Sequence, residues 1–386
     1  MHAPTTCRPT RPSSEGDGAA HAHLTIDLDA LAANYRLLDR LSGSAACAAV
    51  VKANAYGLGV DRVAPVLHAA GCRAFFVATG EEALELREIL DTGGGEAEIL
   101  VLNGIAAHAA EARRARNRGL VPVLNSGEEV GQWRALAASL GGRPDVALHV
   151  DTAMNRLGMP AAEASRLLAD TGLYDDLNVT ALISHLACAE QAEHPLNRRQ
   201  CARFAALCDG LPLRASLANS SGIFLDPEYR FHLVRAGVAL YGANPTPNRP
   251  NPMAEVVGLK GKIIQTRRID RGMSVGYGAA FTATRPMCLA TVPVGYADGY
   301  PRARGNRGSG DIGGGRVPVA GRVSMDLTVF DVTGAADMAV PGADIQLIGG
   351  GVPLDEVAEA AGTIAYEILV RLGRRPHRTY LSAADR

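Results

Sequence analysis

Between Leu24 and about Tyr241 the chain repeats one pattern: a short apolar run, then a longer stretch rich in Ala, Leu, Glu and Arg. The runs are Leu24–Leu28, Ala46–Lys52, Ala74–Ala78, Glu98–Leu102, Leu120–Leu124, Val146–Val150, Val179–His185 and Phe231–Val234, with a weaker one at Leu213–Ala218. Strands separated by helices imply parallel pairing through crossovers. Eight or nine such units in about 220 residues favour a closed α/β architecture, a (β/α)8 TIM-like barrel, over an open sheet.

The pattern then changes. Asn244–Pro252 reads NPTPNRPNP, which can continue neither a helix nor a central strand. Beyond it lie short β-rich runs at Val256–Ile264, Cys288–Val294, Val317–Ala320, Leu327–Val332 and Asp344–Ile348, with late helices near Leu354–Ala361 and Ala365–Leu372. The expected division is a tail over 1–22, a barrel over 23–250 and a C-terminal mainly-β domain over 251–386. Gly305–Gly315 lacks the strand–helix context of a phosphate loop and reads as a flexible loop.

The chain has 386 residues, 47% hydrophobic and 20% charged, with a formal net charge of −1. That length suits two domains. The balanced charge argues against a nucleic-acid partner, which usually needs a basic face, and fits a small or zwitterionic substrate. No apolar run approaches the roughly 18–20 residues of a membrane span. Residues 1–22 lack the apolar middle of a secretory signal and read as a disordered tail. Seven cysteines, an odd number with no CxxC pair, read as reduced thiols of a cytoplasmic protein. No metal is expected.

The most specific segment is Val50–Gly59, VVKANAYGLG. It sets Lys52 at the end of an apolar strand, and strand ends point into the active site of a barrel. Partial desolvation there disfavours the ammonium form, and a neutral amine can form a Schiff base with an aldehyde. On position alone, a solvated lysine at a strand end is the plainer reading, and the full ten-residue string overturns it. Leu233–Gly242, LVRAGVALYG, sets Arg235 at another strand end, where it could serve a ligand or a structural ion pair. Gly237 would let backbone N–H groups approach a phosphate. Asn219-Ser220-Ser221-Gly222 opens a helical turn after a strand, which is either an anion site or a plain N-cap. His185 ends a further strand in LISHLA, a place that suits a function better than a core position.

VVKANAYGLG resembles the cofactor-lysine signature of the alanine racemases, enzymes with a barrel that carries pyridoxal 5'-phosphate (PLP) and a C-terminal β domain. The resemblance runs from about Leu24 to the C-terminus and implies the same fold. It implies a PLP-dependent racemase that interconverts L- and D-alanine by a two-base mechanism, in peptidoglycan supply or alanine catabolism. Lys52 is then a catalytic base and the cofactor's anchor. Arg235 faces the pyridine nitrogen with His185 beside it, and Tyr56, Asn219, Ser220, the backbone of Gly237 and Val238, and Tyr366 surround the phosphate. An arginine partner does not give up its proton, which makes the ring a weaker electron sink than an aspartate partner would.

Racemisation must remove a proton from one face of the α-carbon and return one to the other. Opposite Lys52 the resemblance sets Tyr277 in SVGYGAAFTA as the second base, although a packing aromatic in a turn is the plain reading of that residue. Arg156, in VDTAMNRLG, is the cation expected near substrate carboxylate and tyrosine. Tyr296 in VPVGYADGYPR and Met325 in GRVSMDL complete the substrate side and restrict it to a methyl-sized group. In the family the tyrosine reaches the neighbouring subunit, so the resemblance implies a homodimer with shared active sites.

Two departures stand out. Many members carry a carbamylated lysine where this chain has His149, and relatives often have a histidine at Ser216. Competing readings are a broader-specificity racemase, a non-catalytic PLP-homeostasis protein, which would lack the β domain, and a two-domain decarboxylase. The last would want a catalytic cysteine in the β domain, where Cys288 alone stands, inside an apolar strand pattern.

Overall fold

The computed structural model describes residues 20–382, so nearly all of the predicted tail lies outside the described residues. Eight parallel strands form the barrel: Leu233–Ala236, Ala46–Val50, Ala74–Val77, Glu98–Val101, Leu120–Leu124, Asp145–Asp151, Asn178–Ile183 and Arg214–Ser216, in that spatial order. The last seam is bridged by His232 N–H to the Ala215 carbonyl and Arg235 N–H to the Ala218 carbonyl, both 3.0 Å. Ala48, Ala49, Phe75, Phe76, Ile99, Leu100 and Leu148 are fully buried on these strands, as expected where helices cover the outside and side chains fill the inside.

Local signals set the helices. Thr79 Oγ1 accepts from Glu82 N–H to start helix Gly80–Thr92. Ser126 Oγ accepts from Glu129 N–H to start Gly127–Ala137. These N-caps satisfy donors that a helix leaves open.

Two expectations are corrected. The run at Leu24 is not a barrel strand. Strand Ala22–Asp27 pairs antiparallel with Val257–Lys262 and parallel with His377–Leu381, inside a six-stranded sheet of the β domain. Its buried Leu24 and Ile26 are served equally well by either core, and long-range pairing decides between them. Nor is Gly305–Gly315 a loop. Ser309–Ile312 pairs antiparallel with Gly315–Pro318, and Arg304 Nη2 donates to the Ser309 carbonyl at 2.8 Å.

Residues 242–256 carry no regular element. The β domain adds a three-stranded sheet of Gln265–Ile269, Met287–Val292 and Thr328–Asp331, and a hairpin of Ser274–Val275 with Phe281–Thr282. Helices Leu354–Ala360 and Ala365–Arg371 follow the expected positions. Cys288 lies in the three-stranded sheet. Among the described residues, no helix is long and apolar enough to cross a membrane.

Candidate active site

Where the strand Ala46–Val50 ends, the chain turns the wrong way. Ala53, Asn54, Ala55 and Tyr56 all have φ between 52 and 55°, a left-handed turn that costs about 1–2 kcal/mol per residue. The surroundings hold it. Glu82 Oε1 accepts from Ala53 N–H at 2.7 Å and Asn54 Oδ1 accepts from Val60 N–H at 2.8 Å. Gly57 N–H donates to the Ala53 carbonyl and Ala55 N–H to the Val51 carbonyl, both 2.8 Å. The turn sets Lys52 and Tyr56 on one cavity of about 650 Å3.

That cavity is also lined by Arg156, His185, Asn219, Ser220, Arg235, Gly237, Val238 and Tyr366, together with His149. The predicted barrel residues therefore converge on one space. Burial, with the Arg156 charge second, lowers the pKa of the Lys52 ammonium.

Arg235 is fully enclosed. Its Nη1 donates to the Ser216 carbonyl (2.9 Å) and Ser216 Oγ (2.6 Å), and its Nη2 to the Ser184 carbonyl (2.5 Å) and His185 Nδ1 (3.0 Å). No described carboxylate pairs with it. Burial and Arg156 pull it down to about 10, so it stays charged at neutral pH. Because Arg235 donates to Nδ1, His185 carries its proton on Nε2, and burial beside Arg235 keeps its pKa well below normal.

Ser220 Oγ accepts from Gly237 N–H at 2.8 Å and Ala239 N–H at 3.3 Å, which leaves its own proton to donate. Asn219 Oδ1 caps Gly222 N–H at 2.9 Å. A Cβ on Gly237 would lie 2.7 Å from Tyr56 Oη. Tyr56 is packed between Tyr241 and Tyr366, with ring centroids 4.7 and 6.0 Å away. Burial raises the pKa of the Tyr56 phenol and pushes Tyr366 up to about 12, so both are donors.

Asn125, which sequence reading missed, orients His149. Its Nδ2 donates to the carbonyls of Leu102 (3.2 Å) and Val123 (2.9 Å), so its Oδ1 must accept from His149 Nδ1–H, at 2.7 Å. Burial, then Arg235 and Arg156, pull His149 down to about 4. The Nε2 atom is thus an unprotonated acceptor. Asp151 is used locally. Burial would raise its pKa, but backbone N–H groups of Ala153, Met154 and Asn155 hold it low. Ser184 and Tyr241 were likewise missed. Tyr241 Oη reaches the Val50 carbonyl at 3.0 Å, and only tertiary packing reveals that contact.

Tyr277, Tyr296 and Met325 do not line this cavity. They stand 74, 42 and 53% exposed on the β domain, Tyr277 in the tip of the Ser274–Thr282 hairpin. Arg322, also missed, packs its guanidinium over Gly278 beside it.

The fold and sequence have close counterparts. Family models for the alanine racemase N-terminal and C-terminal domains match residues 26–245 and 256–380. An alanine racemase of Rhodospirillum rubrum is 50% identical over 364 residues, covering 94% of this chain and 96% of that one. A catabolic alanine racemase of Mesorhizobium japonicum is 44% identical over 380 residues, covering 98% of each. The crystal structure of alanine racemase from Bartonella henselae, with covalently bound pyridoxal phosphate, superposes with a TM-score of 0.88 at 40% identity, covering 94% of this chain and 100% of that one. This chain belongs to the alanine racemase family.

Proposed function

We propose that this chain is a pyridoxal-phosphate-dependent alanine racemase that interconverts L- and D-alanine. The observation that carries the reading is one cavity holding a depressed lysine, a buried arginine without a carboxylate partner, and converging hydroxyl donors. The donor set fits the cofactor. Lys52 Nζ would hold its aldehyde carbon. Ser220 Oγ, Val238 N–H, Tyr56 and Tyr366 would hold its phosphate, and Asn219 and Gly237 would shape that cradle. Arg235, backed by His185, would face its ring nitrogen. When bound, pyridoxal phosphate withdraws electrons from the substrate and acidifies the alanine α-carbon.

The protein then moves protons. Lys52 Nζ takes or returns the α-proton on one face, and Tyr277 Oη does so on the other. Arg156 and the Met325 N–H bind the carboxylate, and Tyr296 limits the side chain. Because Tyr277, Tyr296 and Met325 are exposed and absent from their own chain's cavity, the functional form is a homodimer in which each β domain completes its neighbour's site. Such two-fold assemblies are the commonest closed oligomers. The described cysteines are all free, which fits a reducing cytoplasm. The product would serve peptidoglycan synthesis, or the reverse reaction alanine breakdown.

The test is incubation with L-alanine, L-serine and L-lysine in D2O, following optical rotation and Cα deuterium. L-Alanine should lose rotation as it gains deuterium, and Lys52→Ala should do neither. Comparable kcat/KM on serine or lysine would favour a broader racemase. Bound cofactor without turnover of any of the three would favour a binding protein.

A further inference from the structure

The exposed half of the site is wired to the enclosed half through the C-terminal segment. Arg375 Nε and Nη2 grip both oxygens of Asp298 at 2.8 and 2.7 Å, while Nη1 reaches Asp326 Oδ1 at 2.6 Å. Asp298 is buried, and its Oδ2 also accepts from Gly295 N–H at 2.8 Å. It lies two residues after Tyr296, and Asp326 directly follows Met325. The two loops also bind each other, with Tyr296 N–H on the Ser324 carbonyl at 3.1 Å and Ala297 N–H on the Met325 carbonyl at 3.0 Å.

The link continues inward. Gly373 N–H donates to the Asp298 carbonyl at 3.0 Å. Cβ atoms on Gly299 and Gly373 would fall 2.4 Å from the Arg371 carbonyl oxygen and 2.7 Å from the Ala297 one, so the segment and the loop touch backbone to backbone. Arg378 spans the Leu372 and Gly373 carbonyls (3.2 and 3.3 Å) and the Gly57 carbonyl (2.8 Å), on the turn that carries Lys52 and Tyr56. Most surface ion pairs contribute little. This one is a bidentate fork on a buried carboxylate, a geometry that fixes orientation and leaves an uncompensated charge when broken.

We propose that Arg375 is a positioning residue: through Asp298 and Asp326 it sets Tyr296 and Met325 for the neighbouring subunit's pocket, and residues 372–378 tie them to the Lys52 turn of its own. The inference rests on the homodimer reading above. Arg375→Gln as the holoenzyme dimer should raise KM for L-alanine about tenfold while kcat changes less than about threefold. Cofactor absorbance and dimer mass should be unchanged, and Arg375→Lys should recover part of the affinity. Amide hydrogen exchange should quicken over residues 293–300 and 324–327.

Mixed dimers give the direction. With Lys52→Ala and Arg375→Gln on the same subunit, the live pocket receives the loosened loops, and KM should rise. With the two changes on opposite subunits, KM should match a mixed dimer carrying Lys52→Ala alone. An unchanged KM in the Arg375→Gln dimer overturns the assignment, as does a rise confined to the opposite-subunit pair. Loss of cofactor absorbance with no recovery in Arg375→Lys would reduce Arg375 to a structural role and overturn it too. A fully active monomer would instead sink the dimer reading, and with it any action across subunits.

Discussion

Lys52, Tyr56 and Arg235 are gripped within their own chain, whereas Tyr277 stands 74% exposed at a hairpin tip and Met325 53% exposed on a loop. The barrel pocket has a left-handed turn, a fully buried guanidinium and a fixed histidine tautomer, all held by contacts within one chain. Such geometry is what a cofactor needs, since misplaced donors cannot be corrected by water in an enclosed space. The β-domain residues instead keep apolar and phenolic surface open, as the proposed homodimer requires.

The comparison breaks first at Lys52. Lys52→Ala should abolish the absorbance band of the lysine-bound cofactor and lower racemisation by ~10⁴-fold or more, checked by spectroscopy and polarimetry. Tyr277→Phe should cost about 10²–10⁴-fold in racemisation while cofactor absorbance and Tm stay as in the parent. If exchange of the α-proton survives for one enantiomer and is lost for the other, the two bases are separable. Full activity would end the two-base assignment.

Gly237→Ala tests the enclosed side. The added carbon meets a phenol held between two aromatic rings, so cofactor affinity should fall about tenfold, measured by titrating the apoprotein.

His149 tests the pocket's electrostatics. Its pKa is near 4 in the fold and roughly 6.5 when unfolded. The unfolded chain therefore binds a proton that the native state refuses. The neutral imidazole leaves stability unaffected above about pH 6.5, and stability should fall as pH drops from there towards 4, by up to about 3 kcal/mol. In His149→Gln that part of the pH dependence should vanish, which denaturant titrations at pH 7 and 4.5 can measure. Asn125→Asp should shrink it as well, by placing a carboxylate on Nδ1.

Much of the enclosed site was legible because it lies at strand ends. Periodicity set Lys52, Arg235 and His185 at strand ends, where each still had a plain structural alternative, and the resemblance of the surrounding motifs to the alanine racemases singled them out. The supports were not legible. Asn125 meets His149 from 24 residues away, Tyr241 reaches Val50 from 191 residues away, and Arg375 reaches Asp298 across 77. None of these spacings carries a repeat, so no local pattern announces them. The run at Leu24 misled for a related reason. Apolarity reports that a strand is buried, and says nothing of which sheet buries it.

From the sequence alone came the barrel and β-domain order, the strand ends bearing Lys52, His185 and Arg235, and the motifs carrying Tyr277 and Met325. The first two follow from short-range rules of burial and turn chemistry, and the last from the resemblance to the alanine racemases. Tertiary structure alone decided which sheet claims Ala22–Asp27, which nitrogen of His149 holds its proton, and which predicted residues share a cavity within one chain. Those outcomes depend on hydrogen-bond partners brought together by folding, and a donor's partner is set by position in space rather than by place along the chain.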